Sequence, residues 1–247
     1  MNSQEIATQR DAALARAVAY DFLAQAFAYP AEDRFEDLQG LAHLVLNHGV
    51  WMPLVRLSAL VSQYSPEQLQ HEYSSALTLG SSPDCPLFET AYFGADPQQQ
   101  TQRMADVAGF YRAFGVDSSG SDTRPDDLSV ELEFLGFLCR KEAYALEHAG
   151  PPRVAQVRKA QRLFFEEHAG RWAGVAGKRL AALASAGMFY GAAGAALEAW
   201  IGAERDALGV TPVEVNGTPA NWLAPISHGP EFAGAASFVP MEELAVR

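Results

Sequence analysis

The chain has little charge, and its positive charge is especially sparse. Charged residues make up 19% of its 247 residues, and only three of them are lysines; globular proteins average about 25% charged residues. No Walker loop for a nucleotide and no basic cluster for a diphosphate is present. The formal net charge of −12 disfavours nucleic acids and anionic membrane surfaces as partners and favours basic ones.

The sequence also lacks the spacings that hold metals. Cys85 and Cys139 are the only cysteines, and no CxxC or Cys/His pattern that binds zinc surrounds them. We therefore expect free thiols in a reducing cytosol. A Glu-x-x-His pair, which a di-iron carboxylate bundle needs on two helices, is also missing. Residues 1–18 carry four charges and no apolar core segment, so we do not expect them to form an export signal.

Alternation typical of β-strands is nearly absent, and helical periodicity dominates. The pattern predicts an all-α, single-domain bundle of about eight to ten helices over residues 1–208. The clearest predicted helices cover residues 12–28, 33–47, 51–63, 98–114, 125–147, 152–168 and 172–208, the last with a break near residues 185–187. Residues 209–247 contain five prolines and four glycines and are predicted to form an extended tail, either packed on the bundle or tethered to it.

One uncharged segment, residues 180–197, is long enough to resemble a membrane span. It consists mostly of alanine and glycine, whose transfer into lipid gains little compared with leucine or isoleucine. We expect it to pack inside the bundle, with Gly187 and Gly191 allowing close approach of another helix.

A group of carboxylates opens the longest apolar helical pattern. Asp126, Asp127, Glu131 and Glu133 fall in its first two turns, where the helix macrodipole favours negative charge. Leu128, together with later apolar residues at helical spacing, indicates that most of this helix is covered. The sequence therefore predicts an acidic rim at the end of a buried helix, suited to a basic ligand.

These residues also carry a family resemblance. The turn Pro125-Asp126-Asp127-Leu128 runs into Glu131-Leu132-Glu133-Phe134-Leu135, and three further blocks keep their order along the chain: Cys85 to Tyr92, Phe110 to Val116, and Phe165 to Trp172. Together they resemble the TorD-like family of redox-enzyme maturation chaperones, the group that includes TorD, DmsD and NarJ. Asp127 stands where that family usually has a histidine, so the turn stays acidic but has no imidazole.

The resemblance implies a cytoplasmic chaperone without catalytic activity, cofactor or metal. Its expected partners are the apo form of a molybdopterin-containing oxidoreductase catalytic subunit and the twin-arginine signal peptide of that subunit. Nucleic acid and stable membrane insertion are not expected. The residues expected to bind the peptide are Pro125, Asp126, Asp127, Glu131, Glu89, Tyr92 and Tyr29.

Other interpretations of the same residues remain open. Acidic residues in a first helical turn can serve stability alone, by about 0.3–1 kcal/mol, and His168 is better explained as an interior histidine packed near Trp172. The protein could be an assembly factor that recognises only the folded catalytic subunit. Less favoured is a magnesium-dependent helical diphosphate enzyme using Asp126, Asp127 and Glu131. The tail run Phe232 to Val239 resembles the apolar part of an export signal and is a candidate competitor for the client peptide.

Overall fold

A computed structural model describes most of the chain. The described residues are 2–48, 51–77, 84–94, 96–116, 123–184 and 188–216. The tail beyond residue 216, including the run from Phe232 to Val239, lies outside them.

The predicted all-α class is confirmed, because the described residues form nine α-helices and no β-strand. The helices are α1 (Ser3–Phe27), α2 (Glu32–His48), α3 (Met52–Val61), α4 (Pro66–Leu77), α5 (Pro97–Ala113), α6 (Leu128–His148), α7 (Pro151–Glu167), α8 (Ala169–Leu183) and α9 (Phe189–Leu208). A short 3₁₀ segment, Glu89–Tyr92, interrupts the long connection between α4 and α5. None of the described helices is both long and apolar enough to cross a membrane.

Helix α1 is longer than its apolar pattern indicated. It begins at Ser3 because Asn2 and Glu5 form a capping box, in which each side chain accepts from the other's backbone N–H at 2.8 and 2.9 Å. Its second half is central to the core, and Tyr20 and Phe22 are fully buried. The helix packs along α6.

Helix α6 begins at Leu128 rather than at Pro125, because Asp127 is its N-cap. Leu132 and Leu135, one turn apart on the same face, are fully enclosed. Burying each leucine contributes about 1.5–3 kcal/mol, so contacts with α1 and α7 fix the position of this helix. Both cysteines are buried and neither forms a disulfide bond, as the sequence predicted.

The uncharged segment at residues 180–197 is divided between the end of α8 and the start of α9, which pack against each other. Close approach occurs at Gly177 and Gly194: a Cβ on Gly177 would lie 2.7 Å from the carbonyl oxygen of Gly194. The sequence instead predicted close approach at Gly187 and Gly191, and Gly187 lies outside the described residues.

The described start of the tail lies against α8. The backbone N–H of Val215 donates to the carbonyl oxygen of Arg171 at 3.1 Å, and the Arg171 Nε donates to the carbonyl oxygen of Val213 at 3.0 Å. Val210 and Val215 pack on the core. The chain therefore turns back on the bundle directly after α9.

Replacing Gly177 with alanine should destabilise the protein by about 1–3 kcal/mol, because overpacking forces backbone movement. The new Cβ would meet two backbone atoms of α9, the Gly194 oxygen and the Glu198 nitrogen at 2.9 Å. Gly202→Ala on α9 is the matched control, since its Cβ would meet no atom within 4 Å and alanine favours the helix. Urea denaturation of both variants tests the prediction, and equal stabilities would contradict it.

Candidate functional site

The start of α6 is joined to the 3₁₀ segment through the backbone. The N–H of Glu89 donates to the carbonyl oxygen of Asp126, and the N–H of Leu128 donates to that of Leu87, both at 2.8 Å. The hydroxyl of Tyr111 also donates to the carbonyl oxygen of Pro125 at 2.6 Å. Two segments almost 40 residues apart in sequence thus form one rigid unit, which carries six of the seven predicted peptide-binding residues.

Asp126 is completely buried and fully engaged within the protein. Its carboxylate accepts from the N–H and the hydroxyl of Thr90 at 3.1 and 2.8 Å. The Arg124 Nε donates to the other carboxylate oxygen at 2.9 Å, and the Arg124 guanidinium stacks on the ring of Phe88. The expectation that Asp126 lies on an exposed rim is therefore wrong, because this carboxylate stabilises the turn from inside.

Glu89 and Glu131 are also completely buried. The Glu89 carboxylate lies 3.1 Å from the His168 Nδ1 and 3.2 Å from the Arg103 Nε. The Trp172 Nε1 donates to one oxygen of Glu131 at 3.1 Å, whereas the other oxygen has no hydrogen-bond partner.

Burial raises the pKa of Glu131 well above its usual range, and the nearby Glu89 carboxylate adds to the shift. Burial therefore disfavours the ionised form of Glu131. We call Glu89, Asp126 and Glu131 the interior carboxylate cluster. It holds the 3₁₀ segment, α6 and the start of α8 together, and it confirms the interpretation of His168 as an interior residue.

Tyr92 and Pro125 also face this interior region. The Tyr92 hydroxyl donates to the carbonyl oxygen of Pro86 at 3.0 Å, and its ring lies 5.4 Å from that of Trp172. Pro125 offers its carbonyl oxygen to Tyr111, as described above. Both residues stabilise the loop that carries Asp126.

Asp127 differs from its neighbour, because it is partly exposed. One of its oxygens accepts from the N–H and the hydroxyl of Ser129 at 2.9 and 2.6 Å. Burial raises its pKa to about 6. Asp127 is therefore the residue of the acidic turn that a ligand can reach.

Tyr29 lies on the same side of the molecule as Asp127. Its ring is 44% exposed and packs edge-on against the ring of Tyr73 at 5.5 Å. Burial raises the pKa of Tyr73, and the closeness of both Asp127 and Tyr29 adds to the shift. Tyr73 thus connects the two predicted residues. We call this region, with Glu133 and Arg34 beside it, the Asp127 surface.

Sequence reasoning missed Glu133 as a neighbour of Asp127. Helical periodicity places Glu131 and Glu133 on different faces of α6, and of the two only Glu131 was predicted to bind the peptide. In the structure that position points inward to Trp172, whereas Glu133 is partly exposed and lies 3.6 Å from Arg34. The indole of Trp172, 41 residues away, decides which glutamate is enclosed.

A cleft of about 250 Å³ lies beside the 3₁₀ segment and the first half of α5. Its lining residues are Thr90, Phe93, Gly94, Gln99, Gln100, Gln102, Arg103 and Asp106. The guanidinium groups of Arg103 and Arg171 stack on the ring of Phe93 at 3.5 and 4.7 Å. This cleft could not be predicted from the sequence, since its residues come from two separate segments and most are common polar types.

Within the described parts of the chain, no group of three His, Cys, Asp or Glu side chains converges on a possible metal position. Asp126 bonds to Thr90 and Arg124, while Asp127 bonds to Ser129. Glu131 faces Trp172 instead. The magnesium-dependent alternative therefore gains no geometric support from these three residues.

Sequence comparisons relate the chain to assembly proteins of redox enzymes. Residues 45–176 match the family described as nitrate reductase delta subunit. A perchlorate reductase assembly chaperone protein from Dechloromonas aromatica (strain RCB) is 26% identical over 183 residues, 70% of this chain and 80% of its own. A selenate reductase assembly chaperone protein from Thauera selenatis is 30% identical over 199 residues, 79% of this chain and 90% of its own.

A proposed redox enzyme maturation protein of known structure, from Archaeoglobus fulgidus, is 23% identical and covers 60% of this chain and 92% of its own. The TM-score of the superposition is 0.38. The relationship accordingly rests on the sequence matches.

The two adjacent aspartates should respond differently to replacement by asparagine. Asp126→Asn should lower the free energy of unfolding by about 1.5–3 kcal/mol, because hydrogen bonds to a buried charged group are lost. Asp127→Asn should leave it unchanged or slightly higher at pH 7. The folded pKa of about 6 exceeds the ordinary aspartate value of about 3.9, so the fold disfavours the charge that asparagine removes. Urea denaturation at pH 7 measures both, and a larger loss for Asp127→Asn would contradict the assignment.

Proposed function

Because the chain belongs to the nitrate reductase delta subunit family, we propose that it is an assembly chaperone for the catalytic subunit of an oxidoreductase. The observation that carries the proposal is the 30% identity to the selenate reductase assembly chaperone, which extends over 90% of that protein. The resemblance to redox-enzyme maturation chaperones that the sequence motifs indicated is confirmed by this match and by the family match over residues 45–176. In this proposal the protein binds its client and does not catalyse a reaction.

The proposed client is the apo form of a molybdopterin-containing oxidoreductase in the cytoplasm, before export. Such a client carries a twin-arginine signal peptide, in which a basic pair precedes an apolar stretch of about 7–15 residues. A chaperone that holds the peptide until the cofactor is inserted needs a reversible contact with the arginines. The net charge of −12 favours the encounter with such a basic segment.

The Asp127 surface offers the chemistry for that contact. A guanidinium binds a carboxylate through two parallel hydrogen bonds and also stacks on an aromatic ring, and Asp127 and Tyr29 supply one group of each kind. Both described hydrogen bonds to Asp127 come from Ser129 and reach the same oxygen, so the second oxygen can accept from a ligand. The raised pKa of Asp127 indicates that its charge is incompletely balanced within the protein, and an arginine would balance it.

The other predicted residues have an indirect part in this proposal. Pro125, Asp126, Glu89, Glu131 and Tyr92 hold the turn in which Asp127 lies. They contribute to peptide binding by fixing the position of that carboxylate rather than by contact. This division follows from the burial of Asp126, Glu89, Glu131 and Tyr92 and from the internal hydrogen bonds described above.

A synthetic peptide with an Arg-Arg pair followed by about twelve apolar residues should bind the protein, and the affinity should fall as salt is raised, since ions screen exposed charges. Asp127→Asn should weaken binding about tenfold to a hundredfold by removing charge-assisted hydrogen bonds. Asp206→Asn, which removes one equal charge at a side chain that is 84% exposed, is the control and should bind normally. Titration calorimetry at two ionic strengths measures these affinities.

Failure of the wild-type protein to bind at low salt would exclude recognition of the signal. If the protein then still binds a client subunit whose signal peptide has been deleted, the alternative of an assembly factor specific for the folded subunit is favoured. Loss of binding on deletion supports the signal-peptide proposal.

A further inference from the structure

Glu133 shares the Asp127 surface but has only a loose partner there. The nearest charged group is the Arg34 guanidinium, whose Nη1 lies 3.6 Å from the carboxylate. Charge-assisted N–H···O hydrogen bonds are about 2.7–2.9 Å long, so this pair is an electrostatic contact without good hydrogen-bond geometry. The same Arg34 nitrogen also donates to Gln25 at 3.3 Å.

The Asp127 surface has more negatively charged side chains than positively charged ones. Burial raises the pKa of Glu133 to about 7; Arg34 opposes the shift, whereas Asp21 and Asp127 add to it. Asp21 in turn pairs with Arg140 of α6. The two carboxylates that face the surface, Asp127 and Glu133, are therefore partly protonated near neutral pH, and a cation would favour their ionised forms.

An independent feature at the same place points to a ligand. Tyr73 is 94% buried, and its hydroxyl has no hydrogen-bond partner among the described residues. Its ring packs edge-on against that of Tyr29, and Asp127 contributes to its raised pKa. The hydroxyl oxygen can therefore accept a hydrogen bond from a guanidinium N–H at this surface.

The spacing of the two carboxylates suits a pair of neighbouring arginines. Asp127 and Glu133 are six residues apart at the start of α6, which corresponds to about 9 Å along the helix axis. Successive side chains of an extended peptide point in opposite directions. The guanidinium groups of an Arg-Arg pair therefore separate by several ångströms and can reach two distinct acceptors.

We propose that Glu133 is the second arginine-binding carboxylate of the Asp127 surface, and that Arg34 is a resident partner which the client's arginine displaces. The inference rests on the proposed function, since it assigns the residues that receive each arginine of the signal peptide. Glu131, the glutamate that sequence reasoning preferred, has no contact with the peptide.

Replacement of Glu133 by glutamine tests the assignment, and Glu147→Gln near the other end of α6 is the charge-matched control. Glu133→Gln should weaken binding of the Arg-Arg peptide about five- to fiftyfold, and Glu147→Gln, at a side chain that is 45% exposed, should leave it unchanged. Arg34→Gln should strengthen binding about two- to fivefold, because a competing surface ion pair of modest strength is removed. All three affinities are measured by calorimetry at pH 7.5, where Glu133 is mostly ionised.

Peptides in which one arginine at a time is replaced by lysine provide a readout that a structural role would not change. The wild-type protein should discriminate against lysine at both positions, and Glu133→Gln should lose discrimination at one of them only. The melting temperature of Glu133→Gln at pH 7 should match that of the wild type, since the fold already holds Glu133 partly neutral.

The outcomes distinguish this inference from the proposed function. If the wild type binds the peptide and Asp127→Asn weakens it, but Glu133→Gln binds normally or keeps discrimination at both positions, Glu133 is not the second acceptor. Weaker binding by Arg34→Gln would show that Arg34 supports the site instead of occupying it. If the wild type binds no peptide at all, the proposed function itself fails.

Discussion

The structure around the candidate site depends on one buried ion pair and its hydrogen bonds, those of Asp126 with Arg124 and Thr90. A buried carboxylate without partners would cost several kcal/mol, so these donors and the carboxylate must be placed together. Their placement sets the turn before α6, and the backbone bonds of Glu89 and Leu128 extend it to the 3₁₀ segment. Asp127 then occupies the N-cap, where its side chain faces outward.

The electrostatics of the site follow from this arrangement. Inside, Glu89 has His168 and Arg103 as partners, while Glu131 accepts a hydrogen bond from Trp172 and burial raises its pKa. Outside, burial outweighs the nearby guanidinium groups, Arg124 at Asp127 and Arg34 at Glu133, so both carboxyl groups keep protons to a higher pH than ordinary carboxyl groups. Such a surface suits reversible recognition of arginines, because the bound guanidinium groups supply the positive charge that stabilises the two ionised carboxylates.

The sequence predicted the all-α class, the free thiols and the location of the acidic turn, since these depend on local composition and periodicity. It could not predict which carboxylates are enclosed. Asp126 and Asp127 are adjacent and look alike in a helical pattern, yet hydrogen bonds from Thr90, 36 residues earlier, turn the first one inward. Similarly, Glu131 is enclosed against Trp172 of α8 whereas Glu133 is partly exposed, and the position of Trp172 depends on tertiary packing. The start of α1 was also misplaced, because its capping box lies outside the apolar pattern.

Proton release on peptide binding tests the central claim most directly. With pKa values of about 6 for Asp127 and about 7 for Glu133, these two carboxyl groups together hold roughly one proton at pH 6.5. Arginines that bind both would release it. Titration calorimetry at pH 6.5 in two buffers with different ionisation enthalpies measures the number of protons exchanged. The account predicts the release of about one proton by the wild type and almost none by the Asp127→Asn, Glu133→Gln double variant at peptide concentrations that still saturate it. Binding by the wild type without proton release, or with proton uptake, would contradict the account.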